Sequence, residues 1–460
     1  MPNIVIIGAG LAGSEAALQL AHWGLPVTLW DIKPDTRSPA HHSPDCAEIV
    51  CSNSLGSFGT QSAPSQLKRE MDAMGSHLLA LAHRYHVPAG QALAVDREGF
   101  SAAVTQAVQS HPNITFRCGE VTELPADADA VLFATGPMTT PALAETLAKL
   151  VNRQQLFFFD AAAPIVAKDS IDFSIAFWQD RYNKTSGTDE TAAAQGGGYI
   201  NCPLNKEEYT ALVECINAAE KIPLKSFEDA EKAQFFESCV PVEVLASRGF
   251  HTLRYGPLKP MGLTDPRTGR YPFAAVQLRQ DNHLGTLYNL VGFQTNLRWG
   301  EQKAMIQLIP GLANAEVVRY GVMHRNTYLH SPDVLTPTLQ LQAHPHVFVA
   351  GQLTGTEGYS ESIATGVMAA HSMRAFLAEQ SLTPPPPETM IGALLAYITR
   401  PEARGKNFQP INSNWGIVPP LAVPQKQKDL RNAALVARAT EALAQWQQLQ
   451  GIAPKQLAEV

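Results

Sequence analysis

At 460 residues, with 45% apolar and 17% charged side chains, the chain is long enough for two or three domains and too apolar to be disordered. Its formal net charge of −7 argues against a uniformly basic nucleic-acid-binding surface, so an RNA partner would have to meet a local basic face. No run approaches the roughly 20 apolar residues of a membrane span. No basic stretch precedes the apolar start in the manner of a signal peptide, and the six cysteines form no CxxC pair that would suggest a metal site or disulfide framework; the expectation is a soluble protein of a reducing compartment, the cytoplasm.

Asn3 to Ile7 reads as a buried parallel strand, Ser14 to Trp23 as a helix and Val27 to Asp31 as a second strand, a βαβ unit at the very start. The Ser-, Pro-, Gly- and Asn-rich stretch from Pro34 to Ser65 reads as a long loop, functional or mobile. A helix is predicted over Gln66–His86, and Ala130 to Ala134 reads as a strand ending in the turn Thr135-Gly136-Pro137. Residues from about 150 to 340 read as an inserted mixed α/β domain, within which Thr185 to Gly198 is low in complexity and suits a surface insertion. The sheet pattern resumes with Val347 to Ala350 and a helix over Ser360–Leu377. A proline spacer, Pro384 to Pro387, leads into a helical C-terminal segment. The predicted fold class is therefore α/β, with a dinucleotide-binding domain in two parts (1–150 and 341–380), an insertion (151–340) and a helical tail (381–460).

The segment Gly8-Ala9-Gly10-Leu11-Ala12-Gly13 matches GxGxxG between a strand and a helix, and Asp31 ends the next strand. Glycine at the first position permits the tight turn, at the second lets backbone approach a pyrophosphate, and at the third lets helix and strand pack closely. The helix N-terminus supplies free N–H groups, and Asp31 can accept from ribose hydroxyls. The motif does not separate NAD from FAD. Two features tilt towards FAD: the unit begins at the chain start, and a second glycine segment, Gly351-Gln352-Leu353-Thr354-Gly355, precedes a late helix whose positive end can stabilise charge on a reduced flavin ring. Glu357 and Ser360, with Tyr359 and Glu361, follow that segment and are candidates for the flavin pocket.

Longer motifs then match a family in order along the chain: GAGLAGSEAA from Gly8, CSNSLGS from Cys51, YINCPLNKEEY from Tyr199, FFESCVPVE from Phe235, RYGPLKPMGL from Arg254, FQTNLRWGEQ from Phe293, MHRNTYL from Met323, AGQLTGTEGYSESIATG from Ala350 and FQPINSNWGI from Phe408. By these the chain resembles the bacterial folate- and FAD-dependent tRNA (uracil-5-)-methyltransferases, which are related to the larger glucose-inhibited division flavoproteins. The likeness runs from the glycine loop to about Gly416. Two departures are the long Thr185–Gly198 segment and Asp31, where the family more often has Glu; either acid can bind ribose.

The resemblance implies 5-methyluridine formation at position 54 of the tRNA T-loop, with methylenetetrahydrofolate as carbon donor, NADPH as reductant and FAD as electron carrier. Carbon 5 of uracil is a weak nucleophile until a thiolate adds to carbon 6, and a base must later remove the proton on carbon 5. The family motifs single out Cys51 and Cys239; Cys239 is preferred as the nucleophile and Cys51 as its acid/base or protecting partner, with the reverse assignment open. His324 could stack on a pterin and Arg325 could pair with a glutamate tail, or both could be structural. Candidate basic groups for RNA are Lys68 with Arg69; Arg248, Arg254 and Lys259; Arg267 with Arg270; Arg298 with Lys303; and Arg400, Arg404 and Lys406, with Tyr271 and Trp299 as possible stacking partners. No metal site is expected. The competing readings are a wobble-uridine carboxymethylaminomethyl-type flavoprotein and a flavin-bound RNA-binding module without turnover.

Overall fold

The computed structural model describes residues 1–38, 40–151, 156–161, 163–183, 197–222, 240–282, 285–321, 323–405 and 408–453. Within them a six-stranded sheet runs in the order Gln340–Leu341, His344–Val349, Ala130–Phe133, Ile4–Ile7, Val27–Asp31 and Ile114–Cys118. Five of these strands are parallel and the Gln340–Leu341 edge is antiparallel. The central strand is apolar on both faces because helices cover both: Ile4 to Ile7 are all buried.

The first helix, Leu11–His22, starts directly at Gly10, two residues into the glycine motif, and therefore earlier than its apolar pattern suggests. It lies against the late helix Tyr359–Leu377. Gly366 makes that approach possible: a Cβ there would meet the Ala12 carbonyl oxygen at 2.4 Å. The helix expected over Gln66–His86 is two, Ala63–Ala73 and His77–Arg84. Gly75, at φ +75°, turns the chain between them, and the Ser76 hydroxyl caps the second. The long loop before them holds a short strand, Ser54–Ser57, paired with Ala92–Val95. Part of the Thr185–Gly198 segment (184–196) lies outside the described residues.

A second sheet is wholly antiparallel: Phe177–Trp178, Tyr199–Leu204, Ala274–Gln280, Leu287–Leu290, Ile165–Ala167 and Val317–Arg319. It has its own apolar core, built around Tyr209, Tyr288, Phe293 and Leu278. The strand pair Leu156–Ala161 and Met323–Tyr328 belongs to neither sheet. After the late helix come Met390–Ile398, an irregular strap and the 22-residue helix Lys428–Leu449. The strap passes under the late glycine segment, where Phe408 fills the space that a Cβ on Gly355 would need, at 2.5 Å.

Helix Met390–Ile398 is capped by its own Thr389, which accepts from Gly392 N–H at 2.9 Å, and by a second element. Glu70, fully buried, accepts from the backbone N–H groups of Met390 and Ile391, both at 2.8 Å. Burial outweighs those hydrogen bonds and pushes Glu70 up to about 7. Glu70→Ala takes the partner from three buried donors, the Met390 and Ile391 N–H groups and the Gln66 amide, and is expected to cost about 2–4 kcal/mol, seen as a lowered melting temperature. The folded value lies above the ordinary one, so this group's ionisation reduces stability as pH rises from about 4.5 through about 7. Glu70→Gln should flatten that part of the melting-temperature profile; an unchanged profile contradicts the assignment.

Candidate functional site

A cleft of about 1130 Å³ opens at the carboxyl ends of Ile4–Ile7, Val27–Asp31 and Ala130–Phe133. Gly8, Gly10, Leu11, Ala12, Asp31, Gly351 and Gln352 all line it, so the two glycine segments far apart in sequence meet here. Gly8 sits at φ +103°, with no room for a side chain beside the Ala134 carbonyl. A Cβ on Gly13 would be 1.8 Å from the Gly8 oxygen. Gly10 differs: a Cβ there meets only the Ala134 oxygen, at 4.0 Å. The protein itself does not require glycine at Gly10, and the open space is what an approaching pyrophosphate would use.

The start of Leu11–His22 has no side-chain cap, and neither does the start of Tyr359–Leu377. Two positive helix ends therefore face the cleft region with donors to spare. Asp31 accepts from Ala9 N–H at 2.6 Å and Lys33 N–H at 2.9 Å, which uses two of its roughly four acceptor positions and leaves the others for hydroxyls. These residues fit a dinucleotide whose pyrophosphate lies at Gly10 and whose ring lies near Gly351. Gly10→Ala is expected to leave the fold intact but displace the pyrophosphate. Losing one charge-assisted hydrogen bond is worth about 1.5–3 kcal/mol, so flavin affinity should fall by roughly 10–100-fold. Gly13→Ala should instead lower the melting temperature of the flavin-free protein. Flavin content and melting curves separate the two, and equal behaviour of both variants would contradict the distinction.

Other predicted cofactor residues make contacts within the chain. Gly355 packs on Phe408, and Glu357 donates its N–H to the Ile411 carbonyl and accepts from the Gln352 amide. Ser360 donates to the Leu55 carbonyl at 2.7 Å, tying the late helix to the segment after Cys51. Cleft residues that the motifs did not single out include Trp30, His41, Glu48, Met138 and Ser362.

Cys51 follows Val50, which lines this cleft. Its sulfur is 2.8 Å from the hydroxyl of Tyr359, a cleft-lining residue, and its backbone N–H donates to the same oxygen at 2.9 Å. An oxygen that already accepts from an N–H can still turn its own proton towards the sulfur, and either atom of the pair can serve as the donor. Burial first, and the Cys51 sulfur second, push the Tyr359 phenol well above its ordinary value, so it stays protonated and can donate. The backbone around Cys51 is held by two arginines. Arg97 donates to the carbonyls of Ile49 (2.5 Å) and Cys51 (3.0 Å) and pairs twice with Asp281, at 2.8 and 2.9 Å. Arg319 donates to the Val50 carbonyl. Arg279 reaches the Ser52 hydroxyl and the Asn53 side chain. Arg97 and Cys51 belong to the first body, whereas Asp281, Arg279 and Arg319 come from the antiparallel sheet or its immediate end. Arg97 thus fixes the Ile49 and Cys51 carbonyls from within the first body, and Arg319 fixes the Val50 carbonyl between them from the antiparallel sheet.

Burial pushes the thiols of Cys46 and Cys202 up to about 11 and about 12, so neither supplies thiolate near neutral pH. Cys239 lies outside the described residues. His324 and Arg325 lie on the strand Met323–Tyr328, opposite Asp160 and Phe159 in backbone register. Arg298 pairs with Glu220 at 2.8 Å on the surface, an exposed contact of small energetic worth. Lys68 cannot meet RNA: it is completely buried, donates to the Ser57 and Pro64 carbonyls, and is lowered by burial to about 8. Among the described residues no group of three metal-ligating side chains comes together, and no helix is long and apolar enough to cross a membrane.

The family model for glucose inhibited division protein A matches residues 3–381. A protein of Heliobacterium modesticaldum, named methylenetetrahydrofolate--tRNA-(uracil-5-)-methyltransferase TrmFO, is 50% identical over 96% of this chain and 97% of its own. Proteins of the same name from Halalkalibacterium halodurans and Bacillus mycoides are each 49% identical, over 96% and 95% of this chain and 98% and 97% of theirs. Among solved structures, Aquifex aeolicus GidA superposes with a TM-score of 0.67 at 16% identity, covering 96% of this chain and 73% of that one, which supports the α/β fold of the dinucleotide-binding class. The chain belongs to the glucose inhibited division protein A family and, within it, to the group of relatives named TrmFO.

Proposed function

We propose that the chain transfers the methylene carbon of methylenetetrahydrofolate to carbon 5 of a tRNA uridine, position 54 of the T-loop, and reduces it to a methyl group at the expense of NADPH, in the cytoplasm. The observation that carries this reading is the contact of Cys51 with Tyr359, which lines a cleft shaped for a dinucleotide, in a chain half identical to proteins bearing that enzyme name. FAD held at Gly8–Gly13, Asp31 and Gly351–Gln352 supplies the two electrons that turn a methylene adduct into a methyl group.

The chain's own residues handle the uracil. Cys239 adds its thiolate to carbon 6, which makes carbon 5 nucleophilic towards the one-carbon unit. Cys51 then takes the proton from carbon 5, with Tyr359 donating to its sulfur before that transfer. Arg97 and Arg319 hold the Cys51 backbone so that the sulfur keeps its place against Tyr359. His324 and Arg325 are proposed to meet the folate: Leu329, just past the end of their strand, donates to the Leu353 carbonyl, which joins that strand to the late glycine segment. Residues 151–340 are proposed as an insertion, supported by the separate apolar core of the antiparallel sheet.

Purified protein should carry flavin and methylate a T-loop transcript with methylenetetrahydrofolate and NADPH, and not with S-adenosylmethionine. Inertness with active control enzymes would overturn the reading. Activity on an anticodon loop in place of the T-loop would favour wobble-uridine chemistry.

A further inference from the structure

An acidic protein that handles RNA must concentrate positive charge somewhere, and one surface of the antiparallel domain does so. Residues 244–273 hold five arginine or lysine residues, Arg248, Arg254, Lys259, Arg267 and Arg270, against a single carboxylate, Asp265. That carboxylate is buried and already held by Arg267 at 2.8 Å. The same stretch exposes large side chains that a free surface normally avoids: Tyr255 is 71% exposed, Tyr271 72% and Met261 54%.

Contacts within the chain hold several parts of this stretch in place. Arg254 lies over the rings of both Tyr255 (5.6 Å) and Phe273 (4.3 Å) and donates to the Phe273 carbonyl. Asp265 N–H donates to the Arg270 carbonyl, closing the turn that presents Arg267 and Arg270. Arg181 donates to the Lys259 and Met261 carbonyls, and Tyr182 N–H donates to the Gly262 carbonyl, which anchors the segment from below. Flat aromatic rings alternating with cations on a fixed surface suit a polyanion with exposed bases and sugars.

Its distance from the chemistry defines its task. The strand Ala274–Gln280 leads from the patch to Arg279, which holds the Cys51 segment. Ala274 and Arg279 stand five strand steps apart, roughly 17 Å at about 3.3 Å per residue. A base stacked on Tyr271, before the start of that strand, would lie at the strand's opposite end from the Arg279 contacts with Ser52 and Asn53.

We propose that Tyr255, Lys259, Arg270 and Tyr271 form a landing surface for the body of the tRNA, away from the reacting uridine. This rests on the tRNA methyltransferase reading. Phosphate contacts at Lys259 and Arg270 supply affinity and orientation, and the tyrosines stack on bases or sugars. The surface acts on binding and leaves the chemical step untouched.

The test uses the full-length flavin-loaded protein with an unmodified tRNA transcript. It compares the parent with Lys259→Glu/Arg270→Glu and Tyr255→Ala/Tyr271→Ala. The charge variant is expected to weaken binding at least tenfold at moderate salt and to reduce the slope of log affinity against log salt by about 2, roughly one per lost phosphate contact. The aromatic variant should weaken binding about tenfold with the slope retained. In both, KM for tRNA rises while kcat at saturating tRNA, flavin content and melting temperature stay as in the parent. Binding within twofold of the parent for both variants overturns the proposal. So does unchanged tRNA binding with an altered oligomeric state in light scattering, which would make the patch a contact between copies of this chain. If the parent itself binds and methylates no tRNA, the methyltransferase reading has failed; if the parent does both and the variants match it, only the landing surface has failed.

Discussion

Cys51→Ala will fold, bind flavin and bind tRNA as the parent does, and lose turnover by about 10²–10⁴-fold, the usual contribution of a positioned proton-transfer group. Tyr359→Phe will show why. The Tyr359 hydroxyl lies 2.8 Å from the Cys51 sulfur and can donate to the thiolate, and a hydrogen bond to a charged group is worth about 1.5–3 kcal/mol. Without it, the pH at which Cys51 is half-maximally alkylated should rise by about 1–2 units. Site-resolved mass spectrometry of alkylated peptides across pH reads this directly, without a turnover assay. The direction follows from the environment: burial and the nearby sulfur hold the phenol well above its ordinary range, so it can donate throughout the working pH range. An alkylation profile that Tyr359→Phe leaves in place would remove Tyr359 from the mechanism. The same profile in Cys46→Ser should match the parent, because Cys46 is buried elsewhere.

Arg97→Ala will be among the most destabilising single changes near the site. Arg97 neutralises Asp281, which is only 3% exposed, and satisfies the carbonyls of Ile49 and Cys51. Breaking a buried pair from one side costs about 3–5 kcal/mol because a charge is left without compensation. Asp281→Asn leaves the Arg97 charge without its counterion and should cost a comparable amount, although the amide oxygen still accepts from Arg97 and Asn289. The double variant Arg97→Ala/Asp281→Asn should recover part of the loss, because no buried charge remains unpaired. Arg97→Lys will not restore the site, as a single ammonium cannot bridge a carboxylate and two carbonyls at once. Thermal melts give the stability order. Cys51 alkylation rates at fixed pH report whether the loop has moved. Recovery in the double variant equal to none would contradict the charge argument.

Local features were legible because the forces behind them are local. The strand Val27–Asp31 ends where its alternation ends, and glycine at Gly8 and Gly13 is demanded by contacts within the first 13 residues and the strand end at Ala134. The break at Gly75 was written in the sequence as a glycine followed by a capping serine, yet the apolar pattern on both sides ran through it and suggested one helix. Strand Ser54–Ser57 was not legible: a polar SLGS segment becomes a strand only because Ala92–Val95 lies beside it. Lys68 and Arg69 read as a basic pair, but helix Ala63–Ala73 turns Lys68 into the protein, where backbone carbonyls receive it. The candidate site divides in the same way. The glycine segments and Cys51 carry motifs. Tyr359 lies 308 residues from Cys51, and Asp281 lies 184 from Arg97, so their roles follow from packing of two bodies that no local pattern encodes.

Mass spectrometry of a tRNA transcript after reaction with isotopically labelled methylenetetrahydrofolate tests the central claim most directly. The account predicts one labelled methyl group on carbon 5 of the T-loop uridine at position 54, dependent on NADPH and absent in Cys51→Ala and Cys239→Ala. Label at the wobble uridine, unlabelled methyl groups, or methylation that survives both cysteine substitutions would contradict it.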